Sequence, residues 1–102
     1  MQDVFERLVA ANIQLLPVSV SPRHVVFERG GFVALVERND MGFGSIGGAG
    51  VLTEKGFAPL VWRGGQPYFV AKAFEKAASV DEVEGVRAFQ RELESALEGN
   101  PV

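Results

Sequence analysis

The stretch that decides the fold is VVFERGGFVA at residues 25–34, in which two apolar runs flank an Arg-Gly-Gly turn. A related pattern, LVWRGGQPYFVA, occupies residues 60–71. Paired glycines between β-branched and aromatic residues are typical of tight hairpins, because turns that match the strand twist need positive φ at both central residues. The sequence therefore predicts two β-hairpins and an antiparallel sheet.

Helical signals lie on either side of the two hairpins. An Asp-x-x-Glu pattern at residues 3–6 resembles a capping box, and apolar residues recur at helical spacing between Val4 and Val9. The pattern predicts a short N-terminal helix that ends near Asn12. A Ser-x-x-Glu capping box at residues 79–82 predicts a second helix that starts at Val80. Gly85 is expected to weaken this second helix slightly.

The segments between these elements carry weaker signals. Residues 13–21 contain Pro17 and are predicted to form an extended connector or an edge strand. Residues 50–53 fit a short strand, and residues 71–78 fit one or two helical turns. The whole pattern predicts an α+β fold: an antiparallel sheet of about five strands built from two hairpins, with N- and C-terminal helices on one face.

Composition bounds the class of protein. The chain has 102 residues, which predicts a single domain over residues 1–102. It contains no cysteine, so disulfides, thiolate nucleophiles and sulfur-ligated zinc sites are excluded. Its longest apolar run, residues 32–36, is too short to span a bilayer, and acidic residues occupy the place of a basic secretory region. We expect a cytoplasmic protein that does not bind membranes.

The distribution of charge argues against nucleic acid as a partner. The net charge is −3, with six basic and four acidic side chains over residues 20–72 and an acidic excess over residues 79–102. Nucleic-acid binding usually needs a dense basic face, which this sequence lacks.

Both faces of the predicted sheet read as apolar. The runs at residues 25–27, 32–36, 60–62 and 68–71 do not alternate between apolar and polar side chains. Because two helices cover only one face, the other face must meet the connector at residues 13–21, a ligand or a second copy of the chain. We predict a homodimer.

The run GFGSIGGAG at residues 42–50 contains the pattern G-x-G-x-x-G. A dinucleotide fingerprint needs a helix after its glycines, which this sequence does not predict, and the Gly-Lys-Ser/Thr of a phosphate loop is absent. The run is predicted to be a flexible glycine-rich loop that connects the hairpin units. The alternative is a ligand lid or phosphate nest, with candidate binding residues Gly42, Phe43, Gly44, Ser45, Ile46, Gly47, Gly48 and Arg63.

Other polar side chains offer little chemistry. His24 is the only histidine, so it is either a general base or a surface residue at the start of a strand. Glu37 and Asp40 either bind a divalent cation or share acid-base work, or they mark the solvated end of a strand. No catalytic residue, metal site or cofactor is predicted.

The aromatic surface near the second hairpin turn allows two readings. Trp62 beside Arg63, with Tyr68 across the turn, is either a surface for a planar ligand or a core residue beside a turn. The acids of the second helix are expected to form a solvent-exposed face, at Glu92, Glu94 and Glu98.

No specific motif identifies a family, although the element order resembles that of profilin-like and roadblock-like modules. Such a likeness says little about function. The leading hypothesis is a small, non-enzymatic binding or protein-interaction domain that forms a homodimer. The alternative is a small-molecule-binding or anion-binding domain, catalytic or not, that uses residues 42–50.

Overall fold

A computed structural model of the protein describes residues 3–39, 42–54 and 56–98, without the side chains of residues 18–21 and 39. Within these residues, seven strands form one antiparallel sheet in the order of the chain, and a helix lies at each end of the sequence. The α+β class is confirmed, but the expected five strands built from two hairpins are wrong. The elements are α1 (Val4–Ala10), β1 (Gln14–Ser21), β2 (His24–Arg29), β3 (Phe32–Asn39), β4 (Gly42–Thr53), β5 (Gly56–Arg63), β6 (Gln66–Ala71), β7 (Phe74–Ala77) and α2 (Val80–Glu98).

Each Arg-Gly-Gly segment forms a two-residue turn between paired strands. In the first turn Arg29 pairs with Phe32, and Gly30 and Gly31 have φ of 61° and 92°. The turn between β5 and β6 has the same form. The sheet is larger than two such hairpins because β1, β4 and β7 also join it. β1 pairs with β2, β7 pairs with β6, and β4 pairs with both β3 and β5.

The segment after the second hairpin is a strand, not the helical turns that its sequence predicts. Residues 74–77 form β7 and pair with β6, with Ala71 opposite Phe74 and Tyr68 opposite Ala77. This segment is too short for a stable helix of its own, whereas pairing with β6 satisfies its backbone groups directly. At the other edge of the sheet, residues 13–21 supply β1, in agreement with the edge-strand reading.

Both helices begin at the predicted caps. The Oδ1 atom of Asp3 accepts a hydrogen bond from the Glu6 amide at 2.9 Å. At the start of α2, the Ser79 amide donates to Oε1 of Glu82 at 2.9 Å, and the Glu82 amide donates to Oγ of Ser79 at 3.1 Å. The bond from the Ser79 backbone lowers the pKa of the Glu82 carboxyl.

The core lies between the helices and one face of the sheet, here called the helix-bearing face. Strand register places Phe27, Ala34 and Ala49 side by side on this face, since paired residues of adjacent strands point the same way. They share one buried cluster with Leu8 of α1 and Phe89 of α2. Both helices therefore pack on the same face, in contact with each other.

The other side of the sheet, here called the opposite face, is also apolar. Alternation along the strands places on it Val26, Val33, Leu35, Phe57, Pro59, Val61, Tyr68 and Val70. Val26 and Val33 are buried, and the other side chains are half-buried. The prediction that the sheet is apolar on both faces is thus confirmed.

Candidate functional site

The glycine-rich run at residues 42–50 lies within β4, the central strand of the sheet. The expected flexible loop is therefore wrong: β4 pairs with β3 on one side and with β5 on the other. Pairing with two neighbouring strands supplies the backbone hydrogen bonds and packing that glycines cannot supply through their own side chains.

Phe43 and Ile46 anchor this strand to the core. The Phe43 ring makes edge-to-face contacts with Phe27, at 5.4 Å between centroids, and with Phe5 of α1, at 6.1 Å. Ile46 is partly buried against the same apolar cluster. Both side chains hold β4 under the helices, an arrangement that does not suit a lid.

Two β-bulges interrupt the pairing of β3 with β4. Val36 pairs with Ile46 and Arg38 with Phe43, so Gly44 and Ser45 together stand opposite the single residue Glu37. Bulges re-aim side chains and occur often beside binding sites. The bulge at Gly44 and Ser45 lies where the C-terminal end of α2 crosses β4.

The bulge borders a cleft of about 220 Å³ between β4 and the C-terminal half of α2. Three predicted ligand-binding residues, Gly44, Ser45 and Ile46, lie together on one wall of it. The opposite wall comes from the helix. Its residues are Gln90, Glu94, Leu97 and Glu98.

The prediction that Glu94 and Glu98 are solvent-exposed is confirmed, but sequence reasoning did not place them beside a cleft. Their spacing of four residues places both on one side of α2. Helical periodicity does not reveal which part of the sheet a helix end will cross, so the sequence carries no direct signal for this wall.

The backbone of the run does not form the predicted phosphate nest. A nest needs successive amides turned to one side through alternating right- and left-handed residues. Of the glycines at 42, 44, 47, 48 and 50, only Gly42 has positive φ, at 119°. The remaining four have strand conformations, and two carboxylates line the cleft beside them.

The other predicted binding residues lie outside the cleft lining. A Cβ added to Gly47 would lie 3.6 Å from Nε2 of His24, and one added to Gly48 would lie 3.8 Å from the Phe57 ring. Arg63 is at the turn between β5 and β6 and forms an ion pair with Glu75 at 2.8 Å.

Trp62 is half-exposed, so its prediction as a core residue is wrong. Its exposed fraction is 52%, and the cation over its ring is Arg87 of α2, at 5.6 Å, instead of its neighbour Arg63. Alternation also separates the two residues, since Trp62 lies on the helix-bearing face and Arg63 on the opposite face.

The polar candidates near the end of β3 are only partly brought together. His24 lies directly opposite Glu37 in the pairing of β2 with β3. Asp40 lies outside the described residues. Within the described ranges, no group of three or more histidine, aspartate or glutamate side chains has an arrangement that could hold a metal ion.

A second depression lies on the outer surface of α1. It is shallow, about 450 Å³ in volume, and its lining is Asp3, Phe5, Glu6, Val9 and Ala10. Val9 is 73% exposed and Phe5 is 56% exposed, so two large apolar side chains of this short helix face solvent beside Asp3 and Glu6.

No helix in the part of the chain that the structure describes is long and apolar enough to cross a membrane. Comparison of the chain with models of protein families, with curated proteins and with solved structures finds no match. The site geometry is thus the basis for any statement about function.

Proposed function

We propose that the protein is a small cytoplasmic, non-enzymatic interaction domain that forms a homodimer through the opposite face of its sheet. The observation that carries this proposal is the distribution of apolar side chains. Both helices pack on one face, whereas Leu35, Phe57 and Val61 lie half-buried on the other. A second copy of the chain would remove this surface from water.

Charged residues surround the apolar centre of the opposite face. Register places Glu28 and Glu37 towards the ends of β2 and β3, and Arg63 and Glu75 towards the far side of the sheet. An apolar centre with a polar rim is the usual anatomy of a protein interface. Tyr68 suits such a surface, because a tyrosine combines an apolar ring with a hydroxyl that can hydrogen-bond to a partner.

Sedimentation equilibrium at tens of micromolar tests the homodimer. We expect the wild-type chain to be dimeric and the Val61→Lys variant to be monomeric, because a lysine at the centre of the interface would be desolvated without a partner. Val9→Lys, on the exposed side of α1, is the matched control and should remain dimeric. A wild-type chain that is monomeric throughout this range contradicts the proposal.

The second candidate function is binding of a small molecule by the segment at residues 42–50. The cleft beside the bulge favours this candidate, since it brings Gly44, Ser45 and Ile46 against the wall of α2. A thermal-shift screen with nucleotides, phosphates and amines tests it. Stabilisation of the wild type that disappears in Ser45→Trp, which fills the cleft, supports the site, and unchanged melting temperatures count against it.

A further inference from the structure

We propose that two surfaces on the helix-bearing side of the protein bind each other between copies of the chain. The first combines apolar and acidic side chains and is here called the α1 surface: Phe5, Glu6 and Val9. The second combines aromatic and basic side chains and is here called the Trp62 surface: Trp62, Arg87 and Arg91. Their contact is separate from the homodimer through the opposite face and goes beyond it.

The α1 surface is an apolar depression beside an unpaired acid. Phe5 and Val9 are one turn apart on the helix, and they are 56% and 73% exposed. Glu6 lines the same depression, and within the described residues its carboxylate forms no ion pair. Such a surface favours a partner that supplies both apolar and basic groups.

The Trp62 surface has the complementary composition. Trp62 is half-exposed, and Arg87 lies over its ring at 5.6 Å, so the two side chains hold each other in place before a partner binds. Arg91 is exposed one turn further along α2, and neither arginine forms an ion pair with any described residue. Glu84 and Glu94 flank the two arginines on the helix and leave the centre of the surface basic. Tryptophan and arginine are enriched among the residues that dominate the binding energy of interfaces.

The two surfaces lie apart on one copy of the chain. Helix α1 meets α2 at Ala96, whose carbonyl accepts a hydrogen bond from Nε of Arg7 at 2.6 Å. Arg87 precedes Ala96 by nine residues, which is about 14 Å along a helix. Since both surfaces lie on the helix-bearing side, a two-fold axis can place each one against its complement in a second copy, as an isologous contact requires.

A second copy is the occupant that the charges favour. In such a pair, Glu6 of one copy meets Arg87 of the other, and Val9 covers the exposed part of the Trp62 ring. Exposed ion pairs contribute little free energy, and both surfaces are small. The contact should therefore be weaker than the homodimer through the opposite face and should form at hundreds of micromolar.

The fluorescence of Trp62 tests this contact directly, because Trp62 is the only tryptophan in the sequence. We expect its emission maximum to move to shorter wavelength as the protein concentration rises from tens of micromolar to about one millimolar, since the second copy removes water from the ring. Homodimerisation through the opposite face leaves the ring on the other side of the sheet and does not cause this shift. An emission maximum that stays constant overturns the proposal, whether or not the homodimer forms.

Charge reversal tests whether the two surfaces are each other's partners. Glu6→Lys and Arg87→Glu should each weaken the concentration-dependent shift about fivefold, because each variant brings like charges together across the contact. An equimolar mixture of the two variants, at the same total concentration, should restore the shift, because every contact then joins opposite charges. The readout is the dependence on concentration, since Arg87→Glu also changes the surroundings of the ring within one copy.

Glu54→Lys and Lys72→Glu are the matched controls, because they make the same changes of charge at exposed turn residues outside both surfaces. Both should associate like the wild type. If the single variants are weakened and their mixture is not restored, Glu6 and Arg87 do not face each other and the proposal is wrong. A shift that persists unchanged in both single variants assigns the contact to another part of the chain and also overturns it.

Discussion

Glycines in the hairpin turns and glycines in the packed interior of this protein serve different physical needs. Gly30 and Gly31 have positive φ, and a Cβ added to either would meet nothing within 4 Å. A Cβ added to Gly50 of β4 would lie 2.0 Å from the Ala58 carbonyl oxygen. The turn glycines are needed for their conformation, and Gly50 is needed for the space that it leaves.

The difference shows that a glycine-rich sequence is not by itself a sign of flexibility. At Gly50 the backbone of β5 lies closer to β4 than a side chain at this position would permit. The absence of a side chain at Gly50 therefore allows the two strands to pack closely. Gly85 acts similarly in α2, since a Cβ there would lie 2.5 Å from the Phe32 ring. The sequence-based prediction that Gly85 slightly weakens α2 does not include this contact.

Gly50→Ala is expected to have the largest effect of any glycine substitution here. The atoms that a Cβ would meet belong to the backbone of Ala58 and Pro59, so β5 itself has to move. We expect a loss of about 3 kcal/mol or more in the free energy of unfolding, measured by urea denaturation. A loss below about 1 kcal/mol would show that β5 yields easily and would break the comparison.

Gly85→Ala should be destabilising by about 1–2 kcal/mol, from two opposing terms. Alanine favours the helix, but its methyl group collides with the Phe32 ring, which is a side chain and can shift. A double-mutant cycle with Phe32→Leu separates the terms: when the ring is absent, Gly85→Ala should become neutral or stabilising. If the cost of Gly85→Ala stays the same in the Phe32→Leu variant, the ring contact is not its cause.

Gly30→Ala should cost about 1 kcal/mol, through backbone strain alone. Gly30→Asn should cost less or nothing, because asparagine tolerates a φ near 61° and Asn-Gly suits this turn. At Gly50 the order of the two variants in stability is different, since Gly50→Asn should be at least as destabilising as Gly50→Ala. Thermal unfolding of the four variants tests this contrast between conformation and space.

Gly48→Ala should have the smallest effect and is the matched control for Gly50→Ala. It lies two residues away on the same face of β4, and its added Cβ would make an ordinary contact with the Phe57 ring at 3.8 Å. Alanine restricts the unfolded chain more than glycine does. The free energy of unfolding of the variant should therefore be higher by about 0.5 kcal/mol. A large loss of stability in urea denaturation would mean that β4 tolerates no side chain at Gly48 either, and the contrast with Gly50 would be lost.

Local signals in the sequence predicted the two Arg-Gly-Gly hairpins, the Asp3 cap and the start of α2 at Val80. These features depend on residues that are close in the chain. The strand at β7 was missed because the tertiary pairing with β6 outweighs the helix propensity of residues 74–77. The candidate site was half predicted, since Gly44, Ser45 and Ile46 were named but their helical wall was not.

The sequence by itself determined the α+β class, the antiparallel pairing and an excess of apolar side chains for one sheet face. Only the tertiary structure decided that residues 42–50 form a central strand and that Glu94 and Glu98 face it across a cleft. Glycine has a low intrinsic preference for strands, so β4 depends on partners that lie elsewhere in the chain. The contact of β4 with α2 joins residues that are far apart in the chain. The packing of the whole chain sets this contact, and local sequence patterns do not encode it.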